Sequence, residues 1–283
     1  MAVSQARVAS RRLSNSLFVG FCYLVTGIAL VALVAILWSL VIKGVGGLNL
    51  HVFTMSTPAP GSDGGLLNAI VGSLMLCLMA MVMCVTIGIL AGTWLAEFSG
   101  DSLYGSVVRF LNDVLLSTPS ILTGLFVWYL LVQPFHTFSG FAGGVALAIV
   151  ASPVITRTTE EVLRLQPTSL RESGIALGAP FWHVIRHILW RAAGSGILTG
   201  ALLAFARISG ETAPLLFTAL NNQFFSVDMR KPMANLPSVI NQFALSAQDN
   251  WISLAWVAAL LITVSVLAVT IIARAVSGEP RRS

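Results

Sequence analysis

Arg207 and Glu211 stand four residues apart in the stretch 194–220, which holds no other Asp, Glu, Lys or Arg. A charge at the middle of a bilayer costs about 2.5–3.5 kcal/mol on insertion scales, and such groups face a protein interior or an aqueous pathway. The spacing puts both on one helix face, where they neutralise one another. One reading is an internal ion pair that makes the segment insertable. The other is a cationic site in a translocation path, held in check by Glu211 until an anion competes for the guanidinium. The second is preferred, because the planar fork of arginine donates two parallel hydrogen bonds to an oxyanion. Ser209, Gly210 and Pro214 also loosen or kink a helix at this point. The chemistry this points to is anion transport, with Arg207, Glu211 and Thr212 as candidate path residues.

A second interruption, Ser117-Thr118-Pro119-Ser120, follows Asn112 and Asp113 by one turn. Pro119 removes a backbone donor and frees a carbonyl. Nearby hydroxyls either satisfy the freed groups in a plain kink or line a bend of the pore, so Ser117 and Ser120 join the candidate path. Catalytic signatures are missing. The two lysines, Lys43 and Lys231, follow Ile42 and Arg230, so neither sits in the Gly-Lys-Ser/Thr context of a P-loop. His183 and His187 have zinc-pair spacing, but Val184 stands where a metalloprotease carries glutamate. No catalytic residue, metal site or cofactor is expected in this chain, and an enzyme is not expected. Cys22, Cys77 and Cys84 read as small buried hydrophobes within apolar segments.

The elements that must position these residues follow from composition. Of 283 residues, 56% are hydrophobic and 10% charged, with mean hydropathy +0.87. A soluble domain carries about 25% charged residues, so a cytosolic enzyme, a nucleic-acid reader and a disordered chain are excluded. A bilayer crossing needs about 20 apolar residues. Residues 13–42, 64–96 and 250–273 lack Asp, Glu, Lys and Arg, and each supplies one span. The uncharged run 114–156 is split at the turn-forming cluster Gln133-Pro-Phe-His-Thr-Phe-Ser-Gly140 into two, and 194–220 supplies another. The expectation is an all-α membrane protein with six transmembrane helices. The first is read as an uncleaved anchor, being far longer than a signal-peptide core of about 7–15 residues.

With six spans both termini share one side. That side then holds Arg7, Arg11, Arg12, Arg109, Arg157, Arg164, Arg171, Arg186, Arg191, Arg274, Arg281 and Arg282, against Lys43, Arg230 and Lys231 opposite. The excess marks it as cytoplasmic. The expected layout is a cytoplasmic tail over 1–17, a membrane domain over 18–275 and a second tail over 276–283. The small-residue stripes Gly88-x-x-x-Gly92 and Gly196-x-x-x-Gly200-x-x-x-Ala204 predict close packing of their helices, with each other or with a partner. The external stretch 221–250 is long for a connector. With Phe224, Phe225, Met229 and Met233 beside Arg230 and Lys231, it reads either as a docking surface or as a simple cap.

The polar loop 157–191 contains Glu172-Ser173-Gly174, three residues, Gly178, nine residues and Ile188. It resembles the EAA loop of ABC importer permeases, whose pattern is Glu-Ala-Ala, three residues, Gly, nine residues, Ile-x-Leu-Pro. The departures are Ser173 and Gly174 for the alanines and Trp190-Arg191 for Leu-Pro. Several further stretches resemble phosphate-specific importer permeases: Arg157-Thr-Thr-Glu-Glu161, Gly92-Thr-Trp-Leu-Ala-Glu97, Thr118-Pro-Ser-Ile-Leu-Thr-Gly-Leu125 and Ala206-Arg-Ile-Ser-Gly-Glu-Thr-Ala-Pro214. Phe225-Ser-Val-Asp228 and Pro232-Met-Ala-Asn-Leu-Pro237 extend the likeness, which covers about 65–275. The resemblance implies a type I ABC importer permease fold and phosphate import across a bacterial inner membrane. It implies a paralogous permease, an ATPase dimer that binds ATP and Mg, and a periplasmic phosphate-binding protein as partners. It also implies a coupling helix at about 170–181 that docks into the ATPase, with Arg171, Glu172, Gly178 and Ile188 as the coupling residues. Permeases for sulfate, molybdate or phosphonate are the nearer alternative, and a channel or phosphate-signalling scaffold the more distant one.

Overall fold

The computed structural model of the chain describes residues 5–276, with side chains over 11–275. The side chain of Arg7, together with Arg281, Arg282 and the rest of the expected tail over 277–283, lies outside the described residues. In chain order the helices are α1 (Gln5–Gly46), α2 (His51–Thr54), α3 (Leu67–Glu97), α4 (Leu103–Ser117) and α5 (Ser120–Val132, π-helical from Trp128). They continue with α6 (Gly140–Arg164), α7 (Thr168–Ala176), α8 (Phe181–Ala192, with a π-helical turn), α9 (Gly194–Ser209) and α10 (Ala213–Thr218). The last two are α11 (Leu236–Ala244) and α12 (Asp249–Val276). No strand occurs among the described residues.

Four helices, α1, α3, α6 and α12, are straight, long and apolar enough to cross a membrane. Two bent pairs pass the same test of length and hydropathy only together: α4 and α5, which meet at 105°, and α8 and α9, at 72°. The described residues thus hold four straight candidate spans, and six when each bent pair is counted as one. The first break lies at Thr118-Pro119, where proline supplies no backbone donor. Thr118 is extended there, and its hydroxyl and that of Ser117 turn back onto the Val114 carbonyl. At residue scale the plain-kink and pore-bend readings differ little, but 105° is a turn past a right angle rather than a kink. The expected continuous helix over 194–220 is also corrected. It ends at Ser209, turns through Gly210, and restarts as α10 with Pro214 in its first turn. Proline in the first turn of a helix costs no backbone hydrogen bond.

The organising element is α6, 67% buried in its apolar stretch. Ser139 caps its start by accepting from the Ala142 N–H. Pro153 interrupts its ladder, and the Ser152 hydroxyl reaches the Ile149 carbonyl that loses its donor. Both small-residue stripes pack on α6 rather than on each other. A Cβ on Gly92 would lie 2.5 Å from the Thr156 carbonyl oxygen, and one on Gly200 2.8 Å from Thr158 Cβ. The main apolar core lies among Leu76, Ala80 and Cys84 of α3, Leu147, Ala151 and Ile155 of α6, and Ala204 and Ile208 of α9. A second core joins the start of α3 to α11 and α12. Of the cysteines, only Cys84 is fully buried. Cys77 is half-buried and Cys22, on the peripheral α1, is exposed.

Candidate functional site

Arg207 occupies the last turn of α9, and Glu211 lies in the turn that follows. Arg207 Nε stands 3.5 Å from Glu211 Oε1. The expected pairing is present, made across the end of one helix rather than along its face. The arginine side chain is 35% exposed and the glutamate 18%. Among the described residues this long contact leaves most guanidinium donors unused. Gly210 and Glu211 N–H groups bond back to the Arg207 and Ile208 carbonyls, and Thr212 caps α10, its carbonyl accepting from Leu215 and Leu216. A charged pair therefore sits at the end of α9.

The α10 segment after the pair packs on α5. A Cβ on Gly124 would stand 2.7 Å from Pro214 Cα, so the two short helices touch through backbone. The Thr218 carbonyl then accepts from the Ser139 N–H that follows α5. The helices that restart after Pro119 and after Gly210 thus lie side by side. Ser120 opens α5 and Thr212 opens α10. Ser117 is exposed, and its hydroxyl is used within α4. No hydrogen bond joins Ser117 or Ser120 to Arg207 or Glu211 among the described residues.

The second group of candidates lies around α7. Arg171 forms a forked pair with Glu97 at the end of α3, with Nε 2.8 Å from Oε2 and Nη2 2.5 Å from Oε1. It also donates to the Gln166 and Leu163 carbonyls. Glu97 is almost fully buried, and its hydrogen bonds hold the guanidinium more firmly protonated than usual. Arg171 is thus turned inward as a fastener, whereas its neighbour Glu172 is exposed. Gly178 has φ +81, a left-handed conformation that glycine adopts without Cβ strain. Pro180 then caps α8. Ile188 packs toward Gly174, where a Cβ would meet its Cδ1 at 3.0 Å. The helix expected over 170–181 runs from Thr168 to Ala176 and stops before the glycine turn.

Sequence reasoning missed a charge cluster beside this region. Glu160 on α6 is buried and accepts from Arg109 Nε at 2.7 Å and from Arg164 Nη2 at 2.9 Å. Arg109 also reaches the Leu95 carbonyl and the Ser99 hydroxyl, tying α4 to the end of α3. The i, i+4 spacing of Glu160 and Arg164 was a visible signal, but Arg109 lies 51 residues away. On the opposite end, 221–250 is not one loop. Asn68 holds it by donating to Thr57 Oγ1 and the Asn222 carbonyl, and α11 folds within it. Phe224 and Phe225 are exposed, but Met233 is buried in the main core and belongs to neither a docking surface nor a cap.

Comparison with known proteins settles the family. Residues 85–282 match the model of the binding-protein-dependent transport system inner membrane component. The chain belongs to that family. The phosphate transport system permease protein PstA of Pasteurella multocida is 50% identical over 272 residues, covering 96% of this chain and 97% of the relative. The Haemophilus influenzae protein of the same name is 51% identical, covering 93% and 94%. Among solved structures, an inward-facing methionine ABC transporter, MetNI, superposes with a TM-score of 0.62 at 18% identity over 75% of this chain and 94% of that one. The fold is that of an ABC importer permease. This family member is a multi-pass inner-membrane protein, and its relatives are permease subunits rather than enzymes.

Proposed function

We propose that this chain is the membrane-spanning subunit of an ATP-driven importer for inorganic phosphate. The reading is carried by the partly exposed Arg207–Glu211 pair after the last turn of α9, where guanidinium donors stand ready for an oxyanion. The phosphate assignment rests on relatives of about half identity along nearly the whole chain. Ligand arrives from a periplasmic phosphate-binding protein, and a paralogous permease completes the pathway. Power comes from a separate ATPase dimer that docks on α7, with exposed Glu172 at the contact and Gly178 setting the turn behind it. Arg171 and Ile188 hold α7 to α3 and α8, so a push on α7 reaches the spans and alternates access to the site. Ser117, Ser120 and Thr212, at the two breaks, line the route. Both termini face the cytoplasm.

The test is ATP-dependent uptake of radiolabelled phosphate in cells lacking this chain, restored with wild type or Arg207→Gln. Rescue by wild type alone, with the variant normally inserted and assembled, is the expected result. Rescue by both removes Arg207 from the pathway. Failure of wild type to restore phosphate uptake, or equal competition by unlabelled sulfate or molybdate, overturns the phosphate assignment.

A further inference from the structure

Helix α8 meets the span it leads into at 72°, the attitude of a helix lying in the membrane–water interface. Its inner face is apolar and buried: Val184, Ile185 and Leu189 are 0%, 5% and 0% exposed. Trp182 and Arg186 are exposed on its other side. Between α8 and the last turns of α3 lies a cavity of about 280 Å³, lined chiefly by Leu90, Trp94, Phe98, Trp182, Arg186 and Trp190. The Trp190 indole donates to Thr93 Oγ1 at 3.0 Å, which fixes the ring as one wall. Apart from Arg186 the lining carries no charge.

Arg186, like Arg191 further along α8, differs from the arginines of α4, α6 and α7. Arg109, Arg157, Arg164 and Arg171 each pair with a carboxylate. Arg186 has neither an ion pair nor a side-chain hydrogen bond among the described residues. A guanidinium at the rim of a tryptophan-walled apolar cavity matches a molecule with an anionic head and a hydrocarbon tail. Tryptophan favours the membrane interface, and basic residues there attract anionic lipids. We propose that this cavity is a binding site for a phospholipid with an anionic headgroup, its phosphodiester on Arg186 and one acyl chain between Trp94 and Trp182. Free phosphate has no apolar part to fill such a cavity. The lipid spans α3 and α8, so it steadies the corner from which α7 projects. This inference requires only that the chain lies in a membrane and is independent of what it transports.

The assembled importer, freed of native lipid in detergent, is incubated with phosphatidylglycerol or phosphatidylcholine, and retained lipid is counted by native mass spectrometry. Wild type is expected to retain phosphatidylglycerol preferentially, and Arg186→Gln to lower that retention roughly fivefold, the contribution of one basic residue near an anionic surface. Arg186→Lys keeps most of it, and Trp182→Ala, which preserves the charge, lowers retention of both lipids. Excess inorganic phosphate leaves retention unchanged. Equal retention by wild type and Arg186→Gln overturns the proposal, as does displacement of the lipid by inorganic phosphate. So does loss of the co-purifying ATPase from Arg186→Gln at unchanged lipid retention, which makes the rim an ATPase contact.

Discussion

Two arginines, Arg207 and Arg171, show how differently one side chain is used within one chain. Arg171 is spent: its fork closes on Glu97, and two carbonyls take further donors. Arg207 is held by one long contact and is partly open. Arg207→Lys keeps the charge but loses the fork. Phosphate uptake is expected to fall about tenfold or more, the scale of one lost charge-assisted hydrogen bond, in cells where the variant inserts normally. Full uptake would take the guanidinium out of ligand contact. For the buried pair the expected damage is to stability. Glu97→Gln leaves Arg171 without its anion, and breaking a buried pair from one side costs about 3–5 kcal/mol. The melting temperature of the detergent-solubilised importer should drop clearly. A double variant, Glu97→Gln with Arg171→Met, should recover part of the loss, because no unpaired charge remains. An unchanged melting temperature in the single variant would mean that the pair does not hold the α3–α7 corner.

Among the elements, the breaks carry the information. Gly178 turns the chain between α7 and α8 at φ +81. An alanine there adopts a left-handed backbone at a cost of about 1–2 kcal/mol, whereas asparagine tolerates it better. Gly178→Ala should reduce co-purification of the ATPase and ATP-driven uptake, with Gly178→Asn nearer wild type. Equal behaviour of the two would show that the turn is not what presents α7. This turn was legible from Gly178 and its place in the loop pattern, and the breaks at Pro119 and Gly210 were half legible, whereas the α8–α9 bend was not. Pro119, Gly210 and Pro214 marked where the helices weaken, since backbone chemistry is local. Their consequences were not legible. Whether a proline produces a mild bend or a 105° turn depends on what the next segment packs against, here α10 on α5 through Gly124 and Pro214. The glycine stripes announced close packing but not the partner, because α6 meets both with Ile155, Thr156, Thr158 and Val162, which lie outside its own small-residue run Gly140-x-x-x-Gly144-x-x-x-Ala148.

The whole molecule is a hub with peripheral spans. α6 is surrounded by α3, α4, α5, α9 and α10, whereas α1 rests chiefly on α12 and is exposed along nearly all its length. The arginine distribution predicts both termini on the cytoplasmic side. A reporter that is active only in the cytoplasm, fused to the C-terminus, should be active, and activity only of a periplasmic reporter would reverse the topology. The multi-span, all-helical character was readable because hydropathy is a property of segments. The Arg109–Glu160–Arg164 cluster was not, because it is assembled from α4 and α6 only after they pack. The same hub bears on how the protein is made. α6 is the least apolar of the four straight spans and the most enclosed, and it carries buried Glu160 and Pro153. Lipid is a poor solvent for such a segment, while α3, which emerges earlier and is far more apolar, is at home there. During synthesis α6 is therefore expected to settle on α3, already made, at Gly88 and Gly92 rather than to stand alone in lipid. A nascent chain ending at Arg164 would keep its last helix in the bilayer only if α3 had gone in before it.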